Sequence, residues 1–319
     1  MEILEIIELK KYFNTKAEFL KKPDVIKAVD NVSFKIMEGE ILGLVGESGC
    51  GKTTCGKTIL KIYEPDGGKI IFRGEDITHL KREEMRAYRR KMGIVYQDPF
   101  GSLDPRMTVG SIISEPMDIH NLYPKADREK KVLEIMEKVG LTPEQINRYP
   151  HEFSGGQRQR IGLARTLAVN PEFVVADEPV SALDVSIQAQ ILNLMQDLQK
   201  EFGFTYLFIT HDLSVIKHIC DRVAVMYVGK IVEMAPKKEL FKNPLHPYTE
   251  ALLSAVPTVN PKLRKKEIIL QGDVPSPINP PSGCRFHERC FKKIGKICET
   301  KEPPLVESGK NHFVACHLY

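Results

Sequence analysis

The 319-residue sequence predicts an α/β fold with a largely parallel sheet, a helical insertion and a small appended C-terminal region. Three observations carry that prediction. Continuous apolar runs alternate with helix-compatible stretches. A glycine-rich loop joins one such run to a helix. The texture of the chain then changes in its middle and again near its end.

Taken in order, Val32, Phe34 and Ile36 alternate as in a half-buried strand, whereas Ile41-Leu42-Gly43-Leu44-Val45 is unbroken, as expected of a strand covered on both faces. Further apolar runs stand at Ile70-Ile71-Phe72, Gly93-Ile94-Val95-Tyr96, Phe173-Val174-Val175-Ala176, Tyr206-Leu207-Phe208-Ile209 and Val223-Ala224-Val225-Met226. Ile187, Ile191, Leu194, Met195 and Leu198 share one face of a helix, and Cys220 is expected in another. Residues 98–170 keep helical period through Val132 to Met136 and Ile161 to Leu167, which predicts the insertion. Beyond 236, prolines such as Pro244, Pro247, Pro257, Pro261 and Pro275 break up a stretch with little periodicity. The expected division is therefore 1–235, with 98–170 inserted, and 236–319, an extension that needs a staple to stay folded.

Composition narrows the function. Hydrophobic residues make up 42% and charged residues 28%, ordinary globular values that exclude a disordered or fibrous chain. No run approaches 18 apolar residues, so no helix is expected to span a membrane. The start, Met1-Glu2-Ile3-Leu4-Glu5, lacks the basic and apolar regions of a secretory signal, and the expectation is a chain kept in the cytosol. A net charge of +4 permits but does not demand nucleic acid, and the basic run Lys81 to Lys91 reads as a solvated helix face.

Gly46-Glu47-Ser48-Gly49-Cys50-Gly51-Lys52-Thr53 fits the phosphate-loop pattern, after a buried strand and before a helix. Its glycines let backbone N–H groups point at an anion, and the helix N-terminus adds a positive dipole end. Lys52 suits contact with the β- and γ-phosphates, and the Thr53 hydroxyl suits Mg²⁺. Asp177 and Glu178 end an apolar run, where carboxylates are costly unless used. Asp177 suits Mg²⁺, directly or through water, and Glu178 suits orienting and deprotonating an attacking water. Ser154-Gly155-Gly156-Gln157 reads as a capping box. Two glycines in its first turn cost about 1 kcal/mol each against Ala, which points to a use: bare N–H groups open to a phosphate.

In this order the phosphate loop, Gln97, Ser154-Gly155-Gly156-Gln157, Asp177-Glu178, Ser181-Ala182-Leu183-Asp184 and His211 resemble an ATP-binding cassette ATPase over residues 3–235. The resemblance implies a P-loop NTPase core with an antiparallel N-terminal β subdomain and a helical subdomain. It also implies two cassettes closing head to tail, each ATP held between the phosphate loop of one and the Ser-Gly-Gly-Gln turn of the other. By resemblance Gln97 senses Mg²⁺ and the attacking water, Asp184 lies across the dimer seam and His211 hydrogen-bonds the γ-phosphate. Phe13, or else Tyr12, stacks on adenine, and Thr54 joins the nucleotide-binding set. Phe153 departs from the more usual Leu but stays apolar.

Tyr96-Gln97-Asp98-Pro99, Arg148 to Ser154, Glu178 to Ser186 and Asn243-Pro244-Leu245-His246-Pro247-Tyr248 are similar, more narrowly, to ATPase subunits of oligopeptide and dipeptide importers. That implies a peripheral subunit on the cytoplasmic face of the membrane, paired with itself or a similar cassette. Residues 97–107 would dock on two permease chains supplied by an extracytoplasmic binding protein. Nickel is the alternative cargo, because nickel importers share the extension. A soluble cassette acting on DNA or ribosomes is the rival class, but long coiled coils and a second cassette are missing from the sequence, and no nucleic-acid partner is expected. A non-catalytic subunit would not need Lys52, Glu178 and His211.

Of seven cysteines, Cys284, Cys290, Cys298 and Cys316 fall close together near the end, with gaps of five, seven and seventeen residues. Four thiolates suit structural Zn²⁺ or an iron–sulfur cluster, or the thiols are unligated. Zinc sites usually include a closer pair than any of these, and resemblance to importer ATPases with this extension implies [4Fe–4S], a centre that would also explain how the extension folds. Cys50, Cys55 and Cys220 read as packing residues. His218, His246 and His287 read as surface or packed residues rather than ligands.

Overall fold

A computed structural model describes residues 1–15, 23–256 and 267–319, so Pro257 and Pro261 lie outside the described residues. Its strands are β1 (Glu2–Asn14), β2 (Val25–Met37), β3 (Ile41–Val45), β4 (Gly67–Phe72), β5 (Glu75–Asp76), β6 (Met92–Val95), β7 (Phe173–Asp177), β8 (Thr205–Thr210), β9 (Arg222–Tyr227), β10 (Lys230–Pro236), β11 (Val306–Gly309) and β12 (His312–Val314). Its α-helices are α1 (Lys52–Ile59), α2 (Met85–Lys91), α3 (Val109–Ile119), α4 (Lys125–Lys138), α5 (Gly155–Leu167), α6 (Val185–Phe202), α7 (Leu213–Ile219), α8 (Lys237–Lys242), α9 (Pro247–Ser254) and α10 (Ile297–Thr300). They divide between two compact units, one of Met1, Met37–Glu40 and His79–Ile209, the other of Glu2–Ile36, Ile41–Thr78 and Thr210–Tyr319.

In the first unit β6, β7 and β8 run parallel, with Val95 opposite Ala176 and Ala176 opposite Phe208. Every residue of β7 and β8 is buried, which is why they read as near-continuous apolar runs rather than alternating ones. The helical insertion is present as α3, α4 and α5. The Thr108 side chain caps α3 by accepting from the Ser111 N–H, and α3 packs on both α4 and α5 through Val109, Ile112, Ile113 and Met117. Along α6, Ile191, Met195 and Leu198 form the buried stripe that their spacing predicts, joined by Leu192. The basic run differs from expectation: helix begins only at Met85, and its first residues form turns.

In the second unit one sheet has the order β2-β1-β4-β5, with β1 antiparallel to β4 and β4 to β5. In the other, β3 pairs parallel with β9, and β9, β10, β12 and β11 follow as antiparallel neighbours. Cys220 caps the end of α7 rather than lying within it. The chain beyond 236 does not stand apart. Its last two strands extend the sheet at β10, where Glu233 opposes Val314.

That junction is closed by polar groups inside an apolar surround. The fully buried Glu233 carboxylate accepts from the Leu245 N–H (2.8 Å) and the His246 N–H (2.9 Å) and meets His312 Nε2 at 2.7 Å. His246 Nδ1 accepts from the Tyr248 N–H, capping α9, whose first residue is Pro247. Tyr227, Tyr248 and Phe286 pack ring on ring at 4.6–5.4 Å.

Burial holds His246 neutral, with its pKa pushed down to about 4 even though Glu233 pulls it upward. The unfolded chain takes up a proton near pH 6.5 that the folded chain refuses until about pH 4, so stability falls with acidification across that window. The loss is roughly 3 kcal/mol at its full extent. Urea midpoints measured from pH 7 to pH 4 should drop accordingly, and His246→Asn, which keeps a cap acceptor but does not titrate, should flatten that part of the profile.

Candidate functional site

The phosphate loop runs from the end of β3 into α1 within the second unit. Gly51 begins the helix at φ 104°, and a Cβ there would lie 1.9 Å from the Ala28 carbonyl oxygen. Only glycine fits. Gly51 offers no side-chain cap to α1, which leaves the first N–H groups of the helix to whatever lies in the turn. Lys52 is buried, and its Nζ donates to the carbonyls of Gly46 (2.8 Å) and Glu47 (3.0 Å) and approaches Cys50 Sγ at 3.8 Å. The ammonium thus sits inside the loop. Ser48 and Gly49 are exposed at its tip, and Thr53 and Thr54 follow on the first turn of α1.

The loop is supported from outside. The Gly229 N–H donates to the Cys50 carbonyl (2.8 Å). The Glu47 N–H donates to the Tyr248 hydroxyl (2.8 Å), and both Glu47 carboxylate oxygens accept from Arg289, at 2.8 and 3.2 Å. Cys50 and Cys55 are buried, and burial raises both thiols, Cys55 to about 12, in keeping with packing. Cys220 is likewise buried with its thiol pushed up.

Tyr12 and Phe13 lie near the end of β1. The Tyr12 hydroxyl donates to Asp30 Oδ1 (2.6 Å), and Asp30 is also held by Arg285. Burial and that hydrogen bond raise the phenol far above its ordinary range. Phe13 is half-buried, edge-on to Tyr63 at 5.5 Å, with the Lys11 ammonium over its ring at 5.3 Å from the centroid. His211 is exposed in the turn between β8 and α7.

The first unit holds Gln97, Ser154 to Gln157, Asp177, Glu178 and Asp184. Asp177 is buried at the end of β7, and Glu178 follows at φ 46°, a left-handed conformation that costs a non-glycine residue about 1–3 kcal/mol. The bend turns the Glu178 carboxylate toward Gln97, whose amide donates to it at 3.1 Å. The Glu178 N–H is held by the Ile209 carbonyl and its own carbonyl by Ser181. Asp184 is exposed at the start of α6.

Ser154 and Gln157 form the capping box, with Ser154 Oγ accepting from the Gln157 N–H (3.4 Å) and Gln157 Oε1 from the Ser154 N–H (3.0 Å). The glycine pair has an internal reason as well: a Cβ on Gly156 would lie 2.5 Å from Ile187 Cγ2 of α6. Close helix packing therefore accounts for the second glycine without a ligand.

The four late cysteines are neighbours. The Cys284 N–H donates to the Cys298 carbonyl (2.8 Å). Burial, with the charges of Cys316, Cys290 and Cys298 beside it, raises the Cys284 thiol to about 11, and Cys290 and Cys316 rise for similar reasons. Among the described residues, however, no group of three or more His, Cys, Asp or Glu is so placed that it could hold a metal ion. The donor chemistry fits a thiolate-bound centre, but the side-chain placement does not assemble one. His287 is turned to the Cys284 carbonyl and His246 is a helix cap.

Sequence reasoning missed Arg289, Arg285 and Asp30. Only the position of the two arginines among the cysteines could have drawn attention to them.

Comparison with known proteins adds the following. A family model described as "ABC transporter" matches residues 29–181, and one described as "Oligopeptide/dipeptide transporter, C-terminal region" matches residues 232–298. Oligopeptide transport ATP-binding protein AppF of Bacillus subtilis is 55% identical, covering 99% of this chain and 97% of that protein. A putative peptide import ATP-binding protein of Brucella ovis is 52% identical, covering 98% and 97%. Among solved structures, the dimeric ATP-binding cassette MJ0796 in a post-hydrolysis state bound to ADP and Pi is similar with a TM-score of 0.65 and 29% identity, over 74% of this chain and 99% of that one.

Gly51→Ala should remove the loop's shape, because the added methyl group collides with backbone rather than with a side chain that can rotate away. Calorimetric titration with ATP should show affinity reduced more than about tenfold, whereas the same substitution at Gly49, where a Cβ meets nothing within 4 Å, should cost less.

Proposed function

The chain belongs to the ATP-binding cassette family of transporter ATPases, and from that membership we propose that it energises uptake of dipeptides or oligopeptides through separate membrane-spanning chains. It binds and hydrolyses ATP. The observation that carries the proposal is the glycine-shaped loop with Lys52 inside it, on a chain whose later residues match the oligopeptide/dipeptide transporter C-terminal region.

In this reading the loop from Gly46 to Thr54 receives the phosphates, Lys52 neutralises the β- and γ-phosphates, and Thr53, Gln97 and Asp177 hold Mg²⁺. Glu178 orients and deprotonates the attacking water. The Gln97 hydrogen bond and the left-handed backbone support that role, since both fix the direction of the carboxylate. His211 meets the γ-phosphate, and Phe13 is the adenine platform, because the Tyr12 hydroxyl is already committed to Asp30. A second cassette supplies Ser154, Gly155, Gly156 and Gln157 to the same nucleotide, with Asp184 at the seam. ATP binds the closed dimer better than the open one, and that differential affinity is what reorients the permeases.

Among the described residues no helix is long and apolar enough to cross a membrane. The proposal therefore places the chain peripherally, on the cytoplasmic face, against two permease chains served by an extracytoplasmic binding protein. Residues 97–107 suit the docking surface. Phe100 is 62% exposed there, and the Arg158 guanidinium lies 3.7 Å from its ring centroid, so a push on Phe100 is felt in the first turns of α5. The proposal also ends the cassette proper near 235, with 98–170 as its inserted helical part, although the chain beyond 236 belongs to the same compact unit as Thr210 to Ala235.

The four late thiols form the finer part of the proposal: Cys284, Cys290, Cys298 and Cys316 would hold a [4Fe–4S] cluster, with Zn²⁺ as the alternative. Such a centre, when bound, supplies thiolate cross-links and a redox-active group in a structural or regulatory role. What supports it is the donor chemistry, four thiols within the C-terminal region. Chain purified without oxygen should be brown and contain iron and acid-labile sulfide in equal amounts. Stoichiometric zinc in colourless protein would decide for the alternative, and neither metal would remove the centre.

Glu178→Gln should lower ATP turnover by at least about 100-fold while ATP binding survives. With ATP, the variant should accumulate as a closed dimer on gel filtration. Turnover near wild type would overturn the assignment of Glu178 as base.

A further inference from the structure

Glu47 is the one acidic side chain in the phosphate loop. An ionised carboxylate there works against a bound polyphosphate, because like charges at short range repel strongly in partly buried surroundings. Its surroundings answer that problem. Both carboxylate oxygens are taken by the Arg289 fork at 2.8 and 3.2 Å, and the backbone N–H by Tyr248 at 2.8 Å. Both partners come from the chain beyond 236, whereas Lys52 Nζ bonds the Glu47 carbonyl.

Arg289 is itself held. Its side chain is 8% exposed, it donates to the Tyr227 hydroxyl at 3.3 Å, and its guanidinium lies 6.0 Å from that ring's centroid. Tyr227 and Tyr248 belong to one aromatic cluster with Phe286, which precedes Arg289 by three residues and accepts from the Arg289 N–H through its carbonyl. A bidentate guanidinium–carboxylate pair fixes direction as well as charge, which an ammonium cannot do.

We propose that Arg289 is a positioning residue for ATP binding: it neutralises the Glu47 carboxylate and turns it out of the phosphate loop, so that the C-terminal region sets the loop's affinity for triphosphate. The proposal rests on the reading of this loop as the ATP site. It assigns no role to a metal centre.

The test measures displacement of trinitrophenyl-ATP by ATP from purified full-length chain. Arg289→Met should bind ATP about tenfold more weakly than wild type, equivalent to about 1.4 kcal/mol. The double variant E47Q/R289M should recover most of that loss, a rescue that general loosening of the structure would not produce. Equal affinity in wild type and R289M overturns the proposal, as does a weakened R289M that E47Q fails to rescue. Should R289M fail to fold, R289K carries the test, because it keeps the neutralising charge without the fork. ATP affinity weakened at least about threefold in R289K and restored by E47Q then supports the positioning role, and wild-type affinity in R289K overturns it. Wild-type chain that binds no ATP at all would overturn the reading of the loop instead.

Discussion

A loop that binds an anion through its backbone must keep its N–H groups uncommitted within and be held rigid from without. In this chain the second requirement is met almost entirely by groups far away in sequence. Ala28 presses on Gly51, Gly229 holds Cys50, and Tyr248 and Arg289 hold Glu47. Each support bonds or crowds the outer side of the loop, while Lys52 bonds its carbonyls from within. Loss of any outer support gives the loop freedom that a bound nucleotide must then remove, and that entropy appears as lost affinity.

The residues assigned to hydrolysis are held in another way. Asp177 and Glu178 stand at or just beyond the carboxyl end of the wholly buried β7, and Gln97 just beyond that of its parallel neighbour β6, so the backbone beneath them has little freedom. The strain at Glu178 is tolerated because its N–H is tied to Ile209 and its carbonyl to Ser181. A carboxylate aimed by a strained and well-anchored backbone needs little rearrangement at the moment of reaction. The capping box at Ser154 serves the same end for α5, since Ser154 and Gln157 satisfy each other and leave the glycine N–H groups between them.

Much of this was legible in the sequence because it depends on local chemistry. Buried parallel strands must be continuously apolar, as at Ile41 to Val45 and Phe173 to Ala176, and helices packed on one face must repeat, as at Ile191, Met195 and Leu198. The phosphate loop and the acids of β7 announce themselves by residue type at fixed spacing. Other features left no local signal. β11 and β12 are short, and β11 is largely exposed, so their register comes from β10 and not from their own pattern. The pairing of Glu47 with Arg289 joins residues 242 apart, and neither neighbourhood marks it. Gly156 is ambiguous in another way, because the packing of Ile187 and the approach of a ligand both ask for glycine at that position.

The architecture of the C-terminal region bears on what a metal there would be for. An isolated, proline-broken appendage of this size would need a staple, and thiolate ligation is one. Yet this region already has several connections to its unit. β12 pairs with β10, the buried Glu233 carboxylate gathers Leu245, His246 and His312, and the rings of Tyr248 and Phe286 pack on Tyr227. Removing one partner from a buried charged network of this kind costs about 3–5 kcal/mol, comparable with many structural cross-links. Folding of the region therefore has a source in ordinary packing and hydrogen bonding. The cysteine-bearing turn from Cys284 to Cys290 is distinguished instead by what it touches, because Arg285 reaches Asp30 beside Tyr12 and Arg289 reaches Glu47 on the phosphate loop. Whatever orders that turn acts first on these two contacts and only secondarily on the stability of the chain.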